Sequence, residues 1–252
     1  MSEVDLMKIR ESINLTLNQP GALFKVETKA EGVLSRSYGA VDFQNISYTS
    51  KDTFEFSDAE IDGKEQIGTN EILSLFHQGV IYHLMEVDNQ DKQWTAFETG
   101  SSGWDASHLA PLFWLQGIEQ ATVLEPAYFR LSINMEQYIA KQPASTCIQA
   151  TQALEDNVVG LSTKTLTCEL KCDKQGRVEW LSILIPLDKT SISEAVSKEE
   201  QSTRTTISLR FLDSPPVIMK PDVKHKYSAL EFINSTIEQA KQELSIEKKK
   251  EE

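Results

Sequence analysis

Hydrophobic and polar residues alternate with a period of two over much of the chain between residues 22 and 99, as in half-buried β-strands. The clearest case is residues 53–57, where Phe54 and Phe56 alternate with polar residues. Further runs lie at 23–29, 38–49, 64–76, 80–87 and 93–97, with turn-forming pairs such as Asp62-Gly63 between some of them. Short strands joined by local turns predict an antiparallel meander with one packed face and one solvated face.

Three segments have the residue spacing of helices instead. Residues 3–18 place apolar side chains on about one face, and Pro20-Gly21 ends the pattern. Residues 105–118 carry Leu, Phe, Trp and Ile on several sides, and Pro111 suits the first turn of a short helix. Because so apolar a segment must be covered, it either plugs the concave face of a sheet or forms the lid of an apolar cavity. Residues 225–250 are polar and favour a helix.

Beyond residue 118 the pattern again predicts extended segments, near 121–133, 144–154, 161–172, 177–187 and 203–213. We therefore predict an α+β fold, in which a curved antiparallel β-sheet (a half-barrel) packs on a few helices. No internal linker divides the chain, so residues 1–221 are predicted to form one domain, followed by a C-terminal polar helix over residues 222–252.

Charge and hydropathy exclude several classes of protein. The net charge is −13, and the only basic run, at 248–250, is flanked by glutamates, so we expect no nucleic-acid partner and no docking on anionic lipid headgroups. No run approaches the ~18 apolar residues of a membrane span, and the acidic start is unlike a signal peptide. The chain is therefore either cytosolic as it stands or a mature fragment whose export segment was removed.

The three cysteines leave at least one thiol unpaired. Cys168 and Cys172, four residues apart in one predicted strand, would lie about 13 Å apart, beyond the reach of a disulfide. A bond between Cys147 and Cys168 on neighbouring strands is geometrically possible, and small apolar core residues are the simpler interpretation.

No arrangement of residues predicts catalysis, a metal or a cofactor. The four histidines (77, 83, 108 and 225) are scattered, and no nucleophile or orienting carboxylate is placed beside them by a motif. Asp58, Glu60, Asp62 and Gly63 imitate the start of a calcium loop, but the twelfth position is Thr69 rather than glutamate, so an acidic turn is the better interpretation. We predict a protein without enzymatic activity and without a cofactor.

The aromatic residues leave two interpretations open. Most of them fall at positions predicted to point inward, which is typical of an ordinary core. A single curved sheet with a few helices also leaves a concavity, and apolar walls that are not filled by side chains would form a pocket of lipid size.

Several segments, in their order along the chain, resemble the LppX/LprG group of mycobacterial and actinobacterial lipoproteins, which share the LolA/LolB-like fold. The similar segments are the N-terminal helix running into residues 21–27, Gly79-Val80-Ile81-Tyr82, Trp94-Thr95-Ala96-Phe97, residues 105–112, the turn and strand at 173–181, and the closing strand with its tail at 204–218. The resemblance covers about residues 6–221. The lipobox cysteine and signal segment of that group are absent from this chain.

The resemblance implies an extracytoplasmic protein of the cell envelope that holds or carries a lipid or acyl-chain ligand in an apolar cavity, with an envelope protein as a possible partner. On this interpretation residues 1–221 are a LolA-like lipid-binding domain. Alternation and helix position then select the cavity-lining residues: Phe24, Val26, Phe54, Phe56, Tyr82, Leu84, Leu109, Leu112, Phe113, Trp180, Leu209 and Phe211. The alternative is a protein-interaction module with the same fold and a filled core.

Overall fold

The alternating runs of the sequence form a large β-sheet in the computed structural model, which describes residues 3–30, 32–61, 64–85, 92–98, 104, 107–141, 165–186, 202–223 and 225–228. Helix α1 (Glu3–Leu17) comes first. Six strands follow: β1 (Gly21–Ala30), β2 (Val33–Asp42), β3 (Ser47–Ile61), β4 (Lys64–His77), β5 (Val80–Met85) and β6 (Gln93–Glu98). The second half contains α2 (Ala110–Trp114), a 3₁₀ turn (Leu115–Gly117), β7 (Ile118–Glu125), β8 (Tyr128–Asn134), α3 (Met135–Ala140), β9 (Thr165–Cys172), β10 (Val178–Pro186), β11 (Ser202–Leu212) and β12 (His225–Ser228).

The strands form one open sheet in the part of the chain that the structure describes. Their order is β12-β6-β5-β4-β3-β2-β1-β11-β10-β9-β8-β7, and the two end strands do not pair with each other. Neighbouring strands are antiparallel except β12, which runs parallel to β6. The predicted class, a curved antiparallel sheet packed on a few helices, is confirmed.

One face of the sheet, called the inner face below, carries the main hydrophobic core. Helix α1 lies against β7 and β10, and buries Ile9 and Ile13. Residues 107–118, together with Trp104, pack on the same face, and Leu109, Leu112, Leu115 and Ile118 are fully buried there. This segment, called the plug below, therefore adopts the first of its two predicted roles.

The opposite face, called the outer face, has a smaller core that a second segment covers. Leu75, Tyr82 and Ala96 are buried on three adjacent strands, β4, β5 and β6. Residues 213–223, the strap, leave β11 and cross this face, packing Ile218 and Val223 against the cluster before the chain enters β12. Both faces of β4 to β6 are therefore covered. The alternating pattern predicts one packed face and one solvated face, so it does not predict this second cover.

Two predicted strands are each divided by a turn. The run at 38–49 spans the turn between β2 and β3, where Ile46 has a φ of 49°. The segment 121–133 contains the turn at Pro126-Ala127, and Ala127 has a φ of 62°. Apolar residues lie close to both sides of each turn (Phe43 and Ile46, Leu124 and Ala127), so apolar content alone does not locate the break.

Several predictions fall partly or wholly outside the described residues. Residues 225–228 form β12, and 229–252 lie beyond the description, so the C-terminal helix and the domain boundary stay predictions. Cys168 and Cys172 lie on the same strand with free thiols, whereas Cys147 and the strand near 144–154 are outside the described ranges. None of the described helices is both long and apolar enough to cross a bilayer.

Candidate functional site

Burial on the inner face is graded along the strands. On β3 the inner row runs Tyr48, Ser50, Asp52, Phe54, and its first three members are buried whereas Phe54 is half-buried. The same change occurs on β4 between Ser74 and Ile72, and on β1 between Val26 and Thr28. The plug thus covers one end of the concave face. The other end contains the half-buried residues Thr28, Phe54 and Ile72, and is called the open half below.

The covered end is filled by aromatic rings. Tyr48 lies between the ring of Phe24, in an edge contact at 5.5 Å, and the ring of Phe76, stacked at 5.3 Å. Trp104 of the plug stacks on Phe76 at 5.8 Å and on Phe113 at 4.9 Å. These contacts anchor the plug to the sheet and leave the rings well packed against each other.

A row of polar side chains crosses the inner face beside the aromatic rings. The strand register aligns Ser50 with Ser74, Ser74 with His83, and His83 with Thr95 on β3, β4, β5 and β6. Asp52 lies next to this row on β3. Polar residues this deeply buried need hydrogen-bond partners, because losing water without replacement is costly.

The hydrogen bonds of the row converge on Asp52. The Ser74 hydroxyl donates to Asp52 Oδ2, and Ser74 Oγ lies 2.9 Å from His83 Nδ1. His108 Nε2 of the plug is 3.5 Å from the same carboxylate oxygen. Because the single Ser74 proton goes to the carboxylate, His83 Nδ1 must donate to Ser74. In a catalytic triad the histidine instead accepts the serine proton, so this arrangement does not activate Ser74 as a nucleophile.

The pKa values of these groups follow from burial and from the network. Burial opposes ionisation of Asp52, but the hydrogen bond and charge of His108, together with hydrogen bonds from Ser74 and Ser37, lower its pKa to about 2. Burial lowers the pKa of His83, which is therefore neutral at pH 7. Burial also raises the pKa of Tyr48. The site consequently holds an ionised carboxylate that accepts a hydrogen bond from Ser74 and lies 3.5 Å from His108 Nε2.

Asp52 makes folding dependent on pH. Its pKa is lower in the folded chain than the ordinary 3.8, so the unfolded chain binds more protons between these values, and the stabilisation is present above pH 4 and lost as the pH falls towards 2. The shift corresponds to about 2 kcal/mol. In urea titrations from pH 6 to pH 2, the stability difference between the parent protein and Asp52→Asn should shrink by this amount. Glu71→Gln, on the exposed side of β4, is the control, and an equal pH dependence in both variants would contradict the assignment.

Four buried polar atoms have no hydrogen-bond partner among the described residues: Ser50 Oγ, Asp52 Oδ1, Thr95 Oγ1 and, in the plug, Trp114 Nε1. The first three belong to strands of the inner face, and two of them are two residues apart on β3. These three residues are at least 96% buried. No group of three or more metal-ligating side chains occurs within the described ranges.

The predicted cavity-lining residues divide between the two faces. Phe24, Val26, Leu109, Leu112 and Leu209 are buried in the inner core, with Phe113 and Phe211 packed at its edge. Phe54 lies where the open half begins. The side chain of Phe56 is outside the described set.

Tyr82, Leu84 and Trp180 lie on the outer face instead. Tyr82 belongs to the cluster under the strap, and Leu84 pairs with Leu73 and Trp94 on the same side. The ring of Trp180 contacts Tyr128, and its centroid lies 5.4 Å from Lys171 Nζ. The next residue along the strand, Leu181, is in the inner core. Alternation shows which residues share a side of a strand but not which side faces the inner core. These three predicted cavity-lining residues therefore lie on the opposite face of the sheet from Phe24, Val26 and Leu209.

The polar row was not predicted as a site, although part of its signal is in the sequence. The residues of β3 that face inward are Tyr48, Ser50, Asp52 and Phe54, so a serine and a carboxylate lie between two aromatic residues in one alternating row. His83 has the corresponding phase on β5. The long-range pairing that joins Asp52 to His108, 56 positions later, is not visible in any local pattern.

Comparison with known proteins gives similarities of shape only. No family model matches the chain, and no curated protein sequence matches it. The solved structure of LprF from Mycobacterium bovis is similar with a TM-score of 0.43 and 11% identity, over 87% of this chain and 98% of that one. A porin-like protein from Bacteroides uniformis ATCC 8492 has a TM-score of 0.26 and 8% identity, over 78% of this chain and 98% of that one. Neither similarity assigns this chain to a family.

Proposed function

We propose that this protein binds and carries a lipid or acylated molecule on the concave face of its sheet, without chemical conversion of the ligand. The observation that supports the proposal is the graded inner face, which is filled and covered by the plug at one end and partly accessible around Phe54 and Ile72 at the other. Each CH₂ group moved from water onto such a surface contributes about 0.8 kcal/mol, so a long chain binds without many polar contacts.

On this proposal the ligand chain lies along the open half and meets the plug at its end. The buried residues of the plug, such as Leu109 and Leu112, then close the end of the site rather than form its walls. An extracytoplasmic place in the cell envelope and an envelope protein as the partner that receives the ligand are part of the same proposal, and follow from the resemblance to the lipoprotein group.

The first test asks whether the purified protein contains a lipid. Organic-solvent extraction followed by mass spectrometry should detect acyl species, and the delipidated protein should take up a fluorescent fatty acid. If neither occurs, the proposal is wrong.

The second test asks which face binds. Phe54→Ala should weaken fatty-acid binding by about tenfold, because a buried phenylalanine contributes roughly 1.5–3 kcal/mol of apolar contact. Leu84→Ala is the matched control, since Leu84 is half-buried on the outer face and should leave the affinity unchanged. Equal losses in the two variants would place the ligand elsewhere.

The alternative function is a protein-interaction module with a filled core. The observation that favours it is the packing at the covered end, where Leu109 and Leu112 are completely buried among residues of the protein itself. A chain that takes up no amphiphile but still folds cooperatively would support this alternative.

A further inference from the structure

The unsatisfied atoms of the inner face point to a ligand that donates hydrogen bonds. Asp52 Oδ1 has no hydrogen bond of good geometry within the described chain, and neither has Ser50 Oγ, two residues away on the same strand, although Ser37, the register partner of Asp52 on β2, lies close enough to lower the pKa of the carboxylate. Buried polar groups of native proteins are nearly always paired, so an unpaired carboxylate oxygen at 1% exposure calls for a partner.

The contacts that Asp52 already makes show which kind of ligand group its carboxylate can still bind. Asp52 Oδ2 already accepts from Ser74, and His108 approaches the same oxygen, so one side of the carboxylate is satisfied. The other oxygen faces no cation among the described residues. Because the pKa of Asp52 is low, its carboxylate is ionised and can only accept hydrogen bonds. An anionic group here would be repelled, whereas a hydroxyl or an ammonium group would be bound.

The position of Asp52 connects it to the proposed lipid site. It is the last fully buried residue in the inner row of β3, and the next member of that row is Phe54, where the open half begins. On β4 its register partner is Ile72, which is also half-buried. A chain lying on Phe54 and Ile72 therefore ends beside the carboxylate.

We infer that Asp52 and Ser50 form the head-group subsite of the ligand, and that it selects an amphiphile whose head donates hydrogen bonds over one whose head is anionic. This inference rests on the proposed lipid binding and specifies the chemistry of its ligand. Hydroxyl and ammonium heads share the required property, and the experiment separates them.

The test compares three amphiphiles that share a twelve-carbon chain: a dodecyl glycerol ether, dodecylammonium and laurate. Binding to the full chain is measured by calorimetry below the critical micelle concentrations. The glycerol or the ammonium head should bind at least tenfold more tightly than laurate, and the tighter of the two identifies the donor. Equal affinities for all three would overturn the inference while leaving lipid binding in place. If none of the three binds, the proposed function itself fails.

Two variants connect the preference to these residues. Asp52→Asn should reduce the discrimination against laurate to less than threefold. Ser50→Ala should weaken binding of the preferred amphiphile severalfold without lowering the melting temperature, because it removes a hydroxyl that has no partner among the described residues. Ser182→Ala, at a buried serine of the outer face, is the control and should leave binding unchanged. A head-group preference that survives in Asp52→Asn would overturn the assignment.

Discussion

Replacing Phe76 with alanine is expected to lower the free energy of unfolding by about 3–5 kcal/mol, as for other fully buried aromatic residues. Phe76 is completely buried on the inner face and stacks between Tyr48 and Trp104. Its loss would leave a cavity between the sheet and the plug, since the rings on both sides are themselves held by other contacts. The expected effect exceeds that of a typical substitution because two stacked contacts are lost together.

Urea unfolding monitored by tryptophan fluorescence measures this effect. Phe54→Ala is the matched control, because it removes the same side chain from a half-buried position of the same face, and should cost about 1 kcal/mol or less. Phe76→Leu should recover most of the loss. If the alanine variants at 54 and 76 unfolded at the same urea concentration, the plug would not be anchored by these rings.

Replacing Gly39 with alanine is expected to cost about 2–3 kcal/mol, which is in the usual range for overpacking. A Cβ at this position would overlap the carbonyl oxygen of Thr49 on β3 and lie 2.8 Å from the ring of Phe24 on β1. The absence of a side chain allows Phe24 to lie across β2 and reach Tyr48. The substitution therefore strains two strand pairings and displaces one aromatic contact.

A double-mutant cycle separates these two contributions. In a Phe24→Leu background the ring is gone, so Gly39→Ala should cost less than in the parent protein, whereas the clash with the Thr49 carbonyl stays. Equilibrium unfolding of the four proteins gives the coupling energy. If the two changes in unfolding free energy were strictly additive, the position of the Phe24 ring would not depend on the missing side chain at Gly39. That result would contradict the proposed close approach of the ring to this glycine.

The sequence predicts the class of the fold because each strand carries its own signal. The alternation at residues 53–57 and at 23–29 identifies strands, and the period of α1 identifies a helix, without knowledge of any distant residue. The plug is predictable for the same reason, since no exposed helix would carry Leu109, Leu112 and Trp114 on several sides.

The assignment of faces is less predictable from sequence. Tyr82 alternates correctly but points outward, because β5 is covered on both faces and its apolar content is the same whichever side meets the main core. Trp180 also points outward, where it contacts Tyr128 and Lys171 on the neighbouring strands of the outer face. The polar row depends on the register of four strands and on a contact between β3 and the plug. Both are set by tertiary packing, which no local pattern records.

The strap has a geometric consequence for the sheet. From the end of β11 to the start of β12 the chain has thirteen residue steps, which reach about 43 Å when extended, and the seven inter-strand spacings between these strands span about 34 Å. Little slack is left, and the strap runs over the outer face, where bending of the sheet towards its inner face lengthens the path, so the length of this connection limits how strongly the β1 to β6 arc can curve. The curvature of the inner face is thereby limited partly by a segment on the reverse side, and evolution could widen or narrow the concavity by adding or deleting residues there, without altering any side chain of the inner face.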